Sequence, residues 1–280
     1  MEPVIHQHAI GLIARLLRDR TGQVINEDRR WRVDRAIETV LRERGVTRGN
    51  DILTLLTQPD ATAVEQELVE ALLNNETYFF RDRQVFNQLA GTVLPALCRA
   101  RSESRALRIW SAGCSTGQEP LSLAIMLIEQ GLTSGNGWAI DLVATDVSHT
   151  AIEAARIGCY SRFEIQRGLG VTQMLRHFEE GPDGWQASRQ VLGMVRFQVA
   201  NLLEGPPPGG PFDLILCRNL LIYFDDEAKR LACGQLRQAL APHGRLLLGG
   251  GEGTLEPASG LIAAASDCAL YRLGERALAA

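Results

Sequence analysis

The stretch 107–128 most constrains the fold, because it has the pattern of a buried strand, a small-residue turn and a buried helix. The apolar run Leu107–Trp110 leads into a turn that holds Gly113 and Gly117, and Pro120 suits the first turn of the helix that follows. Such a unit brings backbone close to nucleotide-like ligands in α/β domains. Its Gly-x-x-x-Gly spacing matches neither the dinucleotide fingerprint nor a triphosphate loop, so an ordinary strand-to-helix turn fits the stretch equally well.

Polar residues follow two later predicted strands. The run 138–145 forms the second strand and ends at Asp146, where an acidic residue is placed to accept both hydroxyls of a ribose. Asp146 also fits the N-cap of the helix predicted over 150–157, a role that Ser148 fits as well. The fourth parallel strand is predicted over 212–217. In open α/β sheets the site lies at the carboxyl ends of the strands, so the polar residues after this strand are candidates for chemistry: Arg218, Asn219 and Tyr223.

The first 74 residues show helical periodicity and no strand pattern, which predicts an all-helical domain over 1–74. The second helix is predicted over about 27–44, with Asn26 as its N-cap. One face is apolar, with Val33, Ala36, Ile37 and Val40, and the opposite face carries Arg32, Arg35 and Arg42. This basic face, which Glu38 interrupts, is either a solvated surface or a docking face for an acidic partner.

Residues 75–82 read Asn-Glu-Thr-Tyr-Phe-Phe-Arg-Asp and follow neither a helical nor a strand period. Aromatic rings can cover a flat or cationic ligand, and Arg81 can meet a carboxylate. We interpret the segment as a linker that lines the binding site. A buried plug between domains is the alternative.

The alternation of strands and helices breaks over about 160–195. Gly181–Gly184 is a strong turn signal, and a strand is predicted over Trp185–Val191. This pattern predicts a short helix and a small antiparallel β insertion. A last strand, antiparallel and at the edge of the main sheet, is predicted over Ala269–Leu273.

The amino-acid composition argues against several classes of function. The 280 residues carry a net charge of −4, which argues against a general nucleic-acid binder. The six cysteines form no Cys-x-x-Cys pair, so neither a metal site nor a disulfide framework is predicted. The sequence shows no leader pattern, no apolar run long enough to span a bilayer and no sustained heptad. We therefore expect a cytoplasmic monomer.

Five separate stretches agree with a single family: Asn75–Arg81, Trp110–Pro120, Ala144–Asp146, Asn201–Leu203 and Cys217–Phe224. In their order along the chain they resemble the CheR family of chemotaxis receptor glutamate methyltransferases. The first and last stretches are particular to that family. The resemblance implies an α/β S-adenosylmethionine-dependent methyltransferase (Rossmann-like) sheet over 75–280, with an all-helical N-terminal domain and a small antiparallel β insertion.

The family transfers the methyl group of S-adenosylmethionine to glutamate side chains of the cytoplasmic helical bundle of chemoreceptors. This forms glutamate methyl esters and leaves S-adenosylhomocysteine. The resemblance implies Arg81 and Tyr223 as the catalytic candidates near the transfer centre, and it implies no metal. It assigns ten positions to the cofactor: Asn75, Thr77, Arg81, Gly113, Glu119, Asp146, Asn201, Leu202, Arg218 and Asn219.

The same resemblance implies how a receptor is recognised. In the family the helical domain meets the receptor bundle, so Arg32, Arg35 and Arg42 become candidate substrate-binding residues. Members with a longer glycine-rich insertion bind a tail peptide of the receptor. The turn at 181–184 is short here, so we expect no dependence on such a tether. Gly250 and Gly251 also replace a His-Ser pair that usually precedes the glutamate, here Glu252.

The sequence is also compatible with other functions. After the fourth strand the chain has Arg-Asn-Leu-Leu in place of the Asp/Asn-Pro-Pro-aromatic motif of amino-methylating nucleic-acid enzymes, and it contains no Pro-Cys pair. A nucleic-acid substrate is therefore disfavoured. Methylation of another protein or of a small-molecule carboxylate stays open, as does a non-catalytic cofactor-sensing adaptor.

Overall fold

The computed structural model describes residues 3–46, 51–252, 259–264 and 269–274. The chain forms two compact units. The first comprises Met1–Asn74 and Tyr223–Lys229, and the second comprises Asn75–Ile222 and Arg230–Ala280. Within the described residues, no helix is both long and apolar enough to cross a bilayer.

The first unit is helical, as the sequence predicts. Its helices are α1 (Pro3–Thr21), α2 (Trp31–Glu43), α3 (Asp51–Leu55) and α4 (Ala61–Leu72). Their apolar stripes form one buried core, which includes the predicted inner face of α2. A short 3-10 turn, Glu27–Arg29, precedes α2, so the predicted helix is divided near its start. Asn26 makes no side-chain capping bond there.

The segment Tyr223–Lys229 joins this helical unit through specific contacts. The backbone nitrogen of Val24 donates to the carbonyl of Tyr223 at 2.8 Å, and the side chain of Asn74 donates to the Tyr223 hydroxyl. Arg18 also pairs with Asp225 at 2.8 Å. The domain boundary predicted at residue 74 leaves this segment out of the helical domain. Its partners lie more than 140 residues away along the chain, so no local pattern indicates the contact.

The second unit alternates strands and helices. Before the first strand lie α5 (Arg83–Gln88) and α6 (Leu94–Ala100), joined by a π-helical turn. The following elements are β1 (Ala106–Ala112), α7 (Gln118–Glu129), β2 (Ala139–Asp146), α8 (His149–Ile157), β3 (Cys159–Tyr160), α9 (Arg162–Gln166), α10 (Val171–His177), β4 (Phe178–Gly181), β5 (Gly184–Ala187), α11 (Arg189–Leu192), β6 (Val195–Val199), β7 (Phe212–Cys217), α12 (Asp226–Ala239), β8 (Leu240–Leu248), β9 (Leu261–Ala263) and β10 (Leu270–Leu273). Residues 226–229 of α12 belong to the first unit.

The main sheet has the order β6-β2-β1-β7-β8-β10-β9. Its first five strands run parallel, and the six residues of β7 are all buried, as expected for a strand covered on both faces. The register pairs Ala112 with both Thr145 and Cys217, and it pairs Asp146 with Val199. The ends of β1, β2, β6 and β7 are therefore level, and they form what we call the carboxyl edge.

Two predicted strands differ from those observed. The last strand is antiparallel as predicted, but β9 occupies the sheet edge and places β10 second. β9 has only three residues and was not predicted from the sequence. The strand predicted over 185–191 ends at Ala187, because the Ser188 hydroxyl accepts from the backbone nitrogen of Val191 and starts α11. The three-stranded antiparallel insertion, ordered β3-β5-β4, is present as predicted.

Candidate active site

The turn after β1 is tied to the end of β2. The backbone nitrogens of Gly113 and Cys114 donate to the carbonyl of Thr145 at 2.8 and 2.9 Å. Gly113 and Gly117 have φ angles of 74° and 95°, in the left-handed region that favours glycine. A Cβ at Gly117 would lie 2.8 Å from the Cβ of Ala155. The protein's own packing therefore already requires this glycine.

Asp146 is held at the carboxyl edge by backbone groups. Its Oδ2 accepts from the nitrogen of Ser115 at 2.8 Å, and its Oδ1 accepts from the nitrogen of Ser148 at 2.9 Å. Of the two N-cap candidates for α8, Ser148 is the residue whose side chain caps the helix, through a bond from Ala151 at 3.0 Å. The half-buried Asp146 carboxylate is thus oriented at the end of β2.

The end of β6 lies beside this carboxylate. The nitrogen of Ala200 donates to the carbonyl of Asp146 at 2.9 Å, and Asn201 and Leu202 follow. The Asn201 side chain accepts from the nitrogen of Leu203 at 3.0 Å, whereas Leu202 is buried. A polar and an apolar group thus follow one another next to the acidic strand end.

The linker 75–82 combines buried rings with half-buried polar groups. Phe79 is fully buried, and its ring packs edge-on against Tyr160 and Phe178 of the insertion, with centroids 5.0 and 5.3 Å apart. The hydroxyl of Ser115 donates to the carbonyl of Asn75 at 2.8 Å. The linker therefore runs beside the turn after β1, with Phe79 anchored in the core of the second unit.

Two guanidinium groups meet the ring of Tyr78. Arg81 lies 5.5 Å and Arg167 lies 4.2 Å from the ring centroid. Arg81 also donates to the carbonyl of Glu76 at 3.1 Å. The hydrogen bond from Arg167 to the Glu76 carboxylate, 2.9 Å long, lowers the pKa of that carboxyl. With these contacts the Arg81 side chain is half-buried, and it places a positive charge near the end of the linker.

Arg218 is the centre of a buried ion-pair network. Its side chain is 1% exposed and donates to Glu119 at 3.0 Å, to Asp82 at 2.6 Å and to the carbonyl of Arg81 at 2.9 Å. Glu119 also accepts from the hydroxyl of Ser111 at 2.8 Å. Arg218 thus fastens the linker to β7 and α7. The prediction that Arg218 contacts the cofactor stays a prediction, and its observed contacts are with the protein.

Glu252 clamps the loop that follows β7, a role that the sequence pattern did not predict. Its Oε1 accepts from the nitrogens of Leu220 and Leu221, each at 2.8 Å, and its other oxygen accepts from the nitrogen of Gly249. Burial raises the pKa of Glu252, although these bonds oppose the shift. An acidic residue just after the glycines that follow β8 was the available signal.

The loop held by Glu252 has an uncommon backbone. Asn219 has a φ of 59°, and a Cβ on Gly249 would lie 2.9 Å from the Asn219 nitrogen. Left-handed residues other than glycine persist where surrounding contacts fix them, and such residues cluster at functional sites. The close packing of Gly249 against Asn219 is one such contact.

Neither cysteine at this edge is suited to nucleophilic chemistry. Burial raises the pKa of the Cys114 thiol, with Asp146 and Glu119 adding to the shift. Burial also raises the pKa of the Cys217 thiol, with Glu252 as the next contributor. Both thiols therefore stay protonated near neutral pH, and no covalent cysteine step follows from their position.

The predicted site residues divide between the two units. The ten cofactor positions all belong to the second unit, whereas Tyr223 and the three α2 arginines belong to the first. Arg35 and Arg42 are exposed. Arg32 is half-buried and donates to the carbonyl of Leu72, and burial lowers its pKa. The ring of Tyr223 lies 6.0 Å from the guanidinium of Arg29.

The polar groups of the carboxyl edge fit a nucleoside ligand with an amino-acid end. Asn75, Thr77 and Asn219 are half-buried, and their side chains have no hydrogen-bond partner among the described residues. Because no described protein group satisfies these side chains, they are available to hydrogen-bond a ligand. Asp146 adds a carboxylate at the position that accepts ribose hydroxyls in such folds.

Comparison with known proteins identifies the family of the chain. Residues 75–260 match the family described as "CheR methyltransferase, SAM binding domain". Chemotaxis protein methyltransferase 1 of Pseudomonas aeruginosa is 35% identical over 234 residues, which cover 82% of this chain and 85% of that protein. The probable biofilm formation methyltransferase WspC of the same species is 39% identical over 195 residues, 68% of this chain and 44% of that protein.

Among solved structures, a TehB-like SAM-dependent methyltransferase from Corynebacterium glutamicum matches 69% of this chain and 97% of its own, at 18% identity and a TM-score of 0.38. That likeness is too distant to carry an argument. The family match covers most of the chain and its domain binds S-adenosylmethionine, so S-adenosylmethionine is the cofactor and methyl transfer the activity. The chain belongs to the CheR methyltransferase family.

Proposed function

We propose that this protein methylates glutamate side chains in the cytoplasmic helical bundle of chemoreceptors and forms glutamate methyl esters. The similarity to chemotaxis protein methyltransferases supports the chemoreceptor as partner. The main support for a carboxylate substrate is the position of Arg81, a half-buried cation in the linker that is bound to Arg218. A guanidinium in that position is suited to orient an incoming carboxylate.

The cofactor contacts follow from the groups at the carboxyl edge. Asp146 accepts the ribose hydroxyls, and Asn201 and Leu202 flank the adenine. The remaining polar parts of the cofactor meet Asn75, Thr77, Glu119 and Asn219, beside the backbone at Gly113. Arg218 contributes by holding Glu119 and the linker in place. When bound, S-adenosylmethionine supplies a methyl group on a positively charged sulfur.

The residues of the protein have a positioning task in this reaction. A glutamate carboxyl with a pKa of about 4.3 is already ionised at neutral pH, so no general base is required. Arg81 aligns the carboxylate oxygen for in-line attack, which is where most of the rate gain arises. Tyr223, the second catalytic candidate, is proposed as a hydrogen-bond donor to the substrate carboxylate.

Receptor recognition is assigned to the α2 arginines. Arg35 and Arg42 are exposed, and methylated glutamates lie among acidic side chains. Arg32 also caps the end of α4 through Leu72, so its substitution would disturb the helical unit as well. Only two residues separate β4 from β5, and we propose that methylation does not require a receptor tail peptide.

The test is methylation of purified receptor cytoplasmic fragments from the same organism, with isotope-labelled S-adenosylmethionine and peptide mapping by mass spectrometry. Base-labile methyl groups on glutamates, absent after Glu→Gln substitution in the receptor, are expected. Label on another residue type, or no label on any receptor fragment, would contradict the proposal.

Two arms of the same assay test recognition. A receptor without its C-terminal tail is expected to be methylated at a comparable rate, and strong dependence on the tail would refute the tether-free proposal. The double variant Arg35→Glu, Arg42→Glu should raise KM for the receptor about tenfold without changing affinity for S-adenosylhomocysteine. The matched control is Arg15→Glu, on the exposed side of α1.

A further inference from the structure

A concave region lies at the opposite end of the main sheet from the carboxyl edge. This cavity, of about 710 Å³, is lined by the first residues of β1 and β2, by the loop before β2 and by α11. β1 has seven residues, which at about 3.3 Å each separate its two ends by roughly 20 Å. The cavity is therefore distinct from the cofactor site.

The charge of this cavity is positive in a chain whose net charge is −4. Its charged lining residues are Arg108, Arg189 and Asp141. The Asp141 carboxylate accepts a hydrogen bond from Arg196 at 2.7 Å, which neutralises it. The guanidiniums of Arg108 and Arg189 are exposed and have no hydrogen bond or ion pair to any described residue. Concave surfaces that carry one sign of charge attract ligands of the opposite sign.

An aromatic wall accompanies these cations. Trp138 lines the cavity and is half-buried, and the guanidinium of Arg105 lies 5.5 Å from its ring centroid. Arg105 is itself fixed by donation to the carbonyl of Asn136 at 2.7 Å. The hydroxyl-bearing Thr133 also lines the cavity. The lining thus combines a flat apolar surface, a hydroxyl and two uncompensated guanidiniums.

We propose that this cavity binds a nucleotide, with its phosphates on Arg108 and Arg189 and its base near Trp138. Guanidinium groups bind phosphate oxygens in a bidentate manner, and an aromatic side chain offers a stacking surface. The volume lies within the range of small-ligand sites. A nucleic-acid strand fits less well, because it requires a longer basic track and the chain is acidic overall.

The test is calorimetric titration of ADP into the full chain saturated with S-adenosylhomocysteine, which occupies the cofactor site. We expect ADP to bind, and Arg108→Gln and Arg189→Gln each to weaken its affinity at least tenfold. Arg237→Gln, an exposed arginine of α12 outside both sites, is the matched control and should bind as the wild type does. All variants should retain wild-type affinity for S-adenosylhomocysteine, which shows that they fold.

Three results would overturn the proposal. One is the absence of ADP binding, and another is equal ADP affinity in the wild type and both cavity variants. The third is ADP binding that disappears when S-adenosylhomocysteine is present, since ADP would then occupy the cofactor site. Inorganic phosphate and adenosine, titrated separately, should each bind far more weakly than ADP. Phosphate that bound as tightly as ADP would also overturn it, because the cavity would then bind anions without recognising a nucleotide.

Discussion

The two sides of the carboxyl edge use their charged residues differently. On the side of β2 and β6, the Asp146 carboxylate is half-buried and oriented by backbone nitrogens that lie two and 31 residues away in sequence. On the side of β7, Arg218 is 1% exposed and is bound to Glu119 and Asp82, which lie 99 and 136 residues away. On the β2 side a carboxylate is available to a ligand, whereas on the β7 side the charged groups pair with one another and stabilise the fold.

This difference predicts which substitutions separate effects on folding from effects on ligand binding. When a buried charge is paired with groups of the protein, removing one member of the pair destabilises the fold. A half-buried carboxylate with backbone donors can lose its charge at much smaller cost. Substitutions on the β7 side should therefore affect stability first, and substitutions on the β2 side should affect the ligand first.

The largest stability effect is expected for Arg218→Met. The substitution removes three hydrogen bonds to the protein and leaves the Glu119 carboxylate, which is 12% exposed, without its cation. We expect a loss of about 3 kcal/mol in the free energy of unfolding, measured by urea denaturation without ligand. The matched control is Arg99→Met, an exposed arginine of α6, with an expected change below about 0.5 kcal/mol. Equal stability of both variants would remove the basis of the comparison.

A smaller effect is expected for Glu252→Gln, which keeps the side-chain volume but replaces one of two acceptor oxygens by a donor. The loss should be roughly 1–2 kcal/mol at pH 4.5, because a backbone nitrogen of the clamped loop then lacks an acceptor. Urea denaturation of the wild type and the variant measures this difference. No loss at pH 4.5 would mean that the clamp does not stabilise the loop.

The pH dependence of this substitution has a definite sign. Burial raises the pKa of Glu252 above its ordinary value of 4.5. A carboxyl with a raised folded pKa contributes stability that is fully present below its unfolded pKa and is lost as the pH rises through the folded pKa. Gln does not titrate, so the cost of Glu252→Gln should be larger at pH 4.5 than at pH 7.5. A cost that increases with pH would contradict the burial argument.

The sequence predicted the parts of the molecule that depend on local pattern. The strand, turn and helix around Gly113, the acidic end of β2 and the antiparallel insertion follow from runs of neighbouring residues, and all three are present. The stretch 75–82 was also singled out, because its crowded aromatic and basic side chains fit no regular element.

The parts that the sequence did not predict depend on contacts between distant residues. Nothing near Arg218 indicates that Asp82 is its partner, and nothing near Glu252 indicates that it accepts from Leu220 and Leu221. The grouping of Tyr223 with the helical unit has the same origin, since its partner Asn74 lies 149 residues away. A strand of three residues, such as β9, carries too short a pattern to be recognised.

The smallest stability effect and the most direct test both concern Asp146→Asn. Calorimetric titration with S-adenosylhomocysteine is the measurement, combined with urea denaturation without ligand. We predict that the variant loses at least 100-fold in affinity, while its free energy of unfolding falls by only about 1 kcal/mol, because one backbone nitrogen loses its acceptor. Retained affinity in Asp146→Asn would contradict the assignment of the ribose contact to the end of β2, and with it the claim that this side of the edge serves the ligand.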